Sequence, residues 1–241
     1  MSEKVAPKVA LVTGSTQGIG LAVARRLARD GYRMALHGRR PAEEAAGLLE
    51  GASYHRADLG DVESAGGLVK DVLARHGRLD VLVNNAGEAV RIPHADLKAA
   101  TPAVWRRMLD VNLVAPFVLI AEAEAALRQA KGCIVNIGTH AGVRPKGASI
   151  PYAAAKAGLH HVTKLLALSL GPEVRVNAVA PGLVETAMGA NWPEATELWK
   201  TRSPMRRPAK PEDIADLVAA LVANQYVTGE VVIADGGLNL T

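Results

Sequence analysis

One cysteine, few aromatic residues and no long apolar run set the outer limits on this chain of 241 residues. Cys133 cannot form a disulfide within one chain, and it opens a predicted apolar strand. It therefore reads as a packed thiol in a reducing, cytoplasmic setting rather than a nucleophile or ligand. No apolar stretch approaches the roughly 20 residues that span a bilayer, and Met1–Lys8 is too short and polar for a secretory leader, so no membrane segment is expected. The histidines lack metal-ligand spacing, and no metal is expected. A net charge of +4 raises nucleic acid as a partner, but the basic residues are scattered rather than banded and aromatics make up only 3 %, which argues against it. Repeats, low-complexity tracts and interdomain linkers are also missing.

What is present is alternation, in a chain whose hydrophobic content of 49 % suits one domain with a large core. Apolar runs at Lys8–Val12, Arg33–His37, Ser53–Arg56, Leu79–Val83, Cys133–Ile137, Arg175–Ala180 and Gly229–Ala234 read as seven strands. Between them, helices are predicted over Leu21–Asp30 (closed by Gly31), Pro41–Glu50, Asp61–His76 (stopped by Gly77), Thr101–Ala130, Tyr152–Leu170 and from Pro211. Pro116 should kink the long fourth helix, and Asn112 just before it is a poor helix-interior residue. Met188–Met205 has apolar bulk but no periodicity and reads as a loop, either a substrate lid over about 186–208 or a segment tucked onto a neighbouring subunit. The pattern predicts an α/β fold with a doubly wound, seven-stranded parallel sheet and helices on both faces.

Two stretches carry chemistry. The first strand leads into Thr13-Gly14-Ser15-Thr16-Gln17-Gly18-Ile19-Gly20 and then a helix, an arrangement that aims free N–H groups and a helix dipole at a phosphate. Its glycines let the backbone approach a pyrophosphate closely. Further on, Tyr152 and Lys156 stand four apart on one helix face. A neighbouring ammonium should lower the phenol's usual pKa of about 10 and make the pair a candidate general acid/base. Thr139 follows the fifth strand, where its hydroxyl reaches the same site; Ser149 is a rival hydroxyl that reads better as a cap. At the end of the second strand no acid lies between His37 and Arg40, and an arginine here accommodates a ribose 2′-phosphate.

Together with Asn84-Asn85-Ala86-Gly87, Asn112 and Pro181-Gly182, these stretches resemble the short-chain dehydrogenase/reductase family from about Val9 to Gly237, and the likeness rests on five motifs in order and at spacing. The resemblance implies a single Rossmann-type domain over residues 1–241 that transfers hydride between a nicotinamide cofactor and a small carbonyl or alcohol substrate, similar to NADP-dependent 3-oxoacyl reductases. It implies NADP(H) rather than NAD(H), with Arg39 at the 2′-phosphate, Gly14 to Gly20 (Ser15, Thr16, Gln17, Gly18 and Ile19 included) at the pyrophosphate, and Asp58-Leu59 at the adenine. Asn85, Ala86 and Gly87, then Pro181, Gly182, Val184 and Thr186, line the rest, while Asp58 is equally a helix cap on its own residues. Tyr152 becomes the general acid/base and Thr139 a hydrogen-bond partner of the same oxygen. Lys156 depresses the Tyr152 pKa and holds the ribose, and Asn112 links Lys156 through water to solvent. His140, Met188 and Trp192 are expected at the substrate. The resemblance also implies a homotetramer or homodimer built on the long fourth helix.

Two departures stand out. Threonine occupies position 139 where the family usually has serine, keeping the hydroxyl but restricting χ1. The connection Leu170–Val174 is shorter than in reductases of carrier-bound 3-oxoacyl groups, which counts against that substrate. A non-catalytic NADP-binding sensor or scaffold on the same fold is the rival of another class.

Overall fold

Strand β1 (Val9–Val12) lies inside a seven-stranded sheet in a computed structural model of the chain, which describes residues 6–45, 47–187 and 192–241. On one side of β1 come β2 (Arg33–Gly38) and β3 (Ser53–Arg56). On the other come β4 (Val81–Asn84), β5 (Cys133–Ile137), β6 (Arg175–Pro181) and β7 (Val231–Ala234), and every neighbouring pair is parallel. The order β3-β2-β1-β4-β5-β6-β7 reverses direction between β1 and β4, so a crevice opens beyond the carboxyl ends of those strands.

The helices are α1 (Gly18–Arg29), α2 (Ala42–Ala45), α3 (Val62–His76), α4 (Pro102–Leu109), α5 (Ala115–Ala130), α6 (Ile150–Leu170), α7 (Pro193–Arg202) and α8 (Pro211–Ala223). Side-chain alternation along β1 divides the interior in two. Val9 and Leu11 enter a core with Leu68, Val72, Leu119 and Ile120 from α3 and α5, whereas Ala10 and Val12 enter a second with Val23, Leu27 and Val218 from α1 and α8. Between β4, β5 and α6 runs a buried polar thread: Asn84 Nδ2 donates to Asn136 Oδ1 (2.9 Å), Asn136 Nδ2 to Thr163 Oγ1 (2.9 Å), and Thr163 to the Leu159 carbonyl (2.8 Å).

Three predicted elements differ from the observed ones. The second helix is only Ala42–Ala45, because the chain turns at Gly47, which has a left-handed φ of 78°. The long fourth helix is interrupted: a π-helical turn over Asp110–Val114 joins α4 to α5 just before Pro116. Proline has no N–H for the Asn112 carbonyl and its ring crowds that oxygen, a conflict the wider turn relieves. The segment read as a loop contains α7, whose sequence is mostly polar and exposed and buries Trp199, leaving little periodicity to read.

Candidate active site

Thr13 starts the site by tying the end of β1 to the segment that leaves β4. Its hydroxyl donates to the Val83 carbonyl (3.3 Å) and accepts from the N–H groups of Asn85 and Ala86 (2.9 Å each). Asn85 Nδ2 returns bonds to the carbonyls of Thr13 (2.8 Å) and Gly14 (3.1 Å), so the asparagine motif does hold neighbouring strands as well as facing the crevice. The turn is too close for side chains: a Cβ on Gly14 would sit 3.0 Å from Ala86 Cα, and one on Gly20 would overlap the Gly14 carbonyl. Gly14 and Gly18 also have left-handed φ values of 61° and 55°.

A residue with no sequence signal holds this turn. His37 Nδ1 accepts the Gly14 N–H (3.0 Å), which leaves the ring proton on Nε2 to donate to the Ala57 carbonyl (3.2 Å). Burial pushes the His37 pKa down to about 4, so the ring is neutral. Ser15 is drawn into the same structure: it is fully buried, its Oγ accepts the His37 N–H, and it does not reach the cavity. Gly20 likewise packs beneath the turn.

A cavity of about 600 Å³ runs from the turn to Trp199, and apart from Ser15 and Gly20 every residue expected at the cofactor lines it. The residues fit a dinucleotide. The first turn of α1 has neither a side-chain cap nor an acidic residue, and its glycines leave room that a Cβ would fill. At one end of the cavity, Arg39 donates to Glu88 Oε1 (2.6 Å), Arg107 grips both Glu88 oxygens (2.8 and 2.6 Å), and Arg107 lies 3.6 Å from Asp58. Arg107 holds the Glu88 carboxyl below its usual pKa. Arg39 thus stands at the cavity with an acid already beside it, a partner that the sequence reading missed. Asp58 accepts the Gly60 N–H (2.9 Å) and does not cap α3, whose N-cap is Asp61.

At the other end, α6 begins at Ser149, whose Oγ accepts the Tyr152 N–H at its N-cap, the role expected of it. Tyr152 and Lys156 both line the cavity from α6, and Thr139 lines it from the end of β5, where its hydroxyl donates to the Pro181 carbonyl (3.5 Å) and accepts the Ala141 N–H (3.3 Å). The Tyr152 pKa is not lowered as Lys156 led us to expect: burial pushes the phenol up to about 12, and the neighbouring Thr139 hydroxyl is what opposes the rise. Lys156 Nζ donates to the Ile137 carbonyl (2.8 Å), and burial brings its pKa down to about 8. Asn112 is fully buried behind Gly87, where a Cβ would meet Asn112 Oδ1 at 2.8 Å and Lys156 Nζ at 3.4 Å. Its amide clamps the Glu88 backbone, donating to the carbonyl (2.9 Å) and accepting from the N–H (3.3 Å), and it sits in the π turn.

The roof comes from the segment after β6. Thr186 passes over Gly18, close enough that a Cβ there would lie 3.2 Å from its Cγ2, and Val184 pairs with Ala209. His140 packs edge-on against Trp199 (5.2 Å between ring centres), and Trp192 lines the cavity under Arg91. Met188, expected at the substrate, lies outside the described residues. Trp199 is a site residue that its loop assignment concealed. Among the described residues no group of His, Cys, Asp and Glu could hold a metal, and no helix is long and apolar enough to cross a membrane.

Residues 14–239 match the family model described as enoyl-(acyl carrier protein) reductase. The chain is 46 % identical over 239 residues to a protein of Streptomyces violaceoruber named as ketoacyl reductase 2 of the granaticin polyketide synthase, covering 96 % of both. It is 36 % identical over 248 residues to the 3-oxoacyl-[acyl-carrier-protein] reductase FabG of Thermotoga maritima, covering 96 % of this chain and 97 % of that one. A solved blue fluorescent protein from a metagenomic library, in complex with NADPH, superposes with a TM-score of 0.88 at 34 % identity, over 96 % of this chain and 97 % of the other.

Proposed function

Because the chain belongs to the short-chain dehydrogenase/reductase family, we propose that it is an NADP(H)-dependent oxidoreductase that interconverts a ketone and a secondary alcohol. The observation that carries the reading is one cavity with a phosphate-accepting glycine turn at one end and Thr139, Tyr152 and Lys156 at the other. When bound, the nicotinamide supplies or takes the hydride at the substrate carbon. The protein must orient the partners and move one proton. Tyr152, protonated at neutral pH, donates that proton to the carbonyl oxygen, and Thr139 hydrogen-bonds the same oxygen. Lys156, held by Ile137, carries positive charge beside the phenol and binds the nicotinamide ribose. Asn112 keeps the Glu88 backbone in place behind Lys156 and, through water, returns protons from solvent.

The 2′-phosphate is assigned to Arg39, since no acid lies between His37 and Arg40 to take a ribose 2′-OH. The glycine turn, Asp58-Leu59, Asn85-Ala86-Gly87 and the Pro181–Thr186 segment take the remainder of the cofactor. His140 and Trp192 face the substrate, and the region around 186–208 acts as its lid. We place the protein in the cytoplasm as a homodimer or homotetramer built on α4 and α5. Relatives named as ketoacyl reductases favour a 3-oxoacyl substrate, whereas the short Leu170–Val174 connection favours a free carbonyl compound. NADPH consumption against a panel of ketones and 3-oxoacyl thioesters tests the proposal. Turnover of any of them supports an enzyme; cofactor binding without turnover would support the sensor or scaffold.

A further inference from the structure

Lys156 has a successor on the same helix face. His160 comes one turn after it, as Lys156 comes one turn after Tyr152, so the three side chains form a row along α6. His160 is buried. Its Nε2 accepts the backbone N–H of Thr139 (3.4 Å), which leaves the ring proton on Nδ1, on the side facing Gly142. Two glycines make room for the ring: a Cβ on Gly138 would overlap Nε2, and one on Gly142 would lie 2.7 Å from Cε1. The ring thus sits between Gly138, just before Thr139, and Gly142, three residues after it.

We propose that His160 is a positioning residue that sets Thr139 against Tyr152 by accepting the Thr139 N–H. The reason lies in the threonine. A serine hydroxyl can rotate to find its partner, but the branched threonine side chain is restricted at χ1, so its hydroxyl goes where the backbone puts it. The inference rests on the reading that Thr139 and Tyr152 act together on the carbonyl oxygen. Burial and the nearby Lys156 charge both keep the ring neutral, as an acceptor must be.

The test compares His160→Leu, which removes the acceptor, with His160→Gln, whose Oε1 reaches the place of Nε2. The expected result is a fall in kcat of about tenfold in His160→Leu, with NADPH affinity and ketone KM unchanged and most of kcat restored in His160→Gln. In a Thr139→Ala background, His160→Leu should cause little further loss. Equal losses with and without the Thr139 hydroxyl, or a glutamine variant as slow as the leucine one, overturn the proposal. Amide hydrogen exchange at Thr139 gives a readout without turnover: faster in His160→Leu, restored in His160→Gln. Unchanged exchange overturns the contact. If neither variant folds, nitrogen NMR of the native ring decides, since a proton on Nε2 rather than Nδ1 contradicts the assignment. Should Tyr152→Phe leave turnover intact while the exchange pattern holds, the catalytic reading fails and the contact survives.

Discussion

His37 Nδ1 accepts the N–H of Gly14, so the first glycine of the turn after β1 is fastened to the end of β2 as well as to β1. Replacing His37 with leucine leaves that N–H unpaired in a buried place, which costs about 1–3 kcal/mol. The expected outcome is a lower Tm and weaker NADPH binding by titration, with recovery in His37→Asn, whose Oδ1 approximates the position of Nδ1.

Acid should unfold the protein partly through its buried rings. His37 and His160 have pKa values near 4 in the fold, below the usual value of about 6.5. Between those limits the unfolded chain binds more protons, so stability is present above about pH 6.5 and lost as pH falls toward about 4. Denaturant titrations across that range should show a loss on the order of 1–3 kcal/mol per ring. The loss should shrink in His37→Asn.

Much of this was legible in the sequence, and the rest was hidden for identifiable physical reasons. The strands announced themselves because parallel strands buried on both faces are near-continuous apolar runs, as in Val9–Val12 and, apart from Asn136, Cys133–Ile137. The glycine turn, Tyr152 and Lys156 are local patterns. His37 with Gly14, His160 with Thr139, and Glu88 with Arg39 and Arg107 are 19 to 49 residues apart in the chain, and only the fold brings them together. Helix α7 was missed for a different reason: its sequence is mostly polar, and Trp199 is its one buried residue, so no apolar stripe marks it. The sign of the Tyr152 shift was also out of reach, because spacing reveals a nearby charge but not the desolvation that outweighs it.

Arg39 should decide between cofactors. Arg39→Ala is expected to weaken NADPH binding by roughly 10- to 100-fold, the range of a lost charge-assisted hydrogen bond of about 1.5–3 kcal/mol, and to leave NADH binding nearly unchanged. Fluorescence titration with each cofactor reads this directly. Tighter binding of NADH than NADPH by the native protein would remove Arg39 from the 2′-phosphate.

The two hydroxyls near Tyr152 should separate cleanly. Thr139→Ala is expected to lower turnover by about 100-fold, as loss of a transition-state hydrogen bond does, whereas Thr139→Ser keeps most of it. Ser149→Ala should cost about 1 kcal/mol of stability through its cap and leave turnover close to native. Steady-state kinetics beside thermal melts distinguish them.

Gly20→Ala tests the turn itself. Its Cβ would overlap the Gly14 carbonyl and crowd Asn85 Nδ2, both held by backbone or by the Asn85 bonds to Thr13 and Gly14. Loss of NADPH binding with a marked fall in Tm is expected, on the order of 1–3 kcal/mol for overpacking.

The central claim is that the Tyr152 phenol delivers the proton, and Tyr152→Phe tests it most directly. With NADPH and any ketone that the native protein reduces, turnover should fall at least about 1,000-fold, in the range of a lost general acid, while NADPH affinity stays within about twofold of native because the ring remains in place. Turnover close to native in the phenylalanine variant would contradict the account.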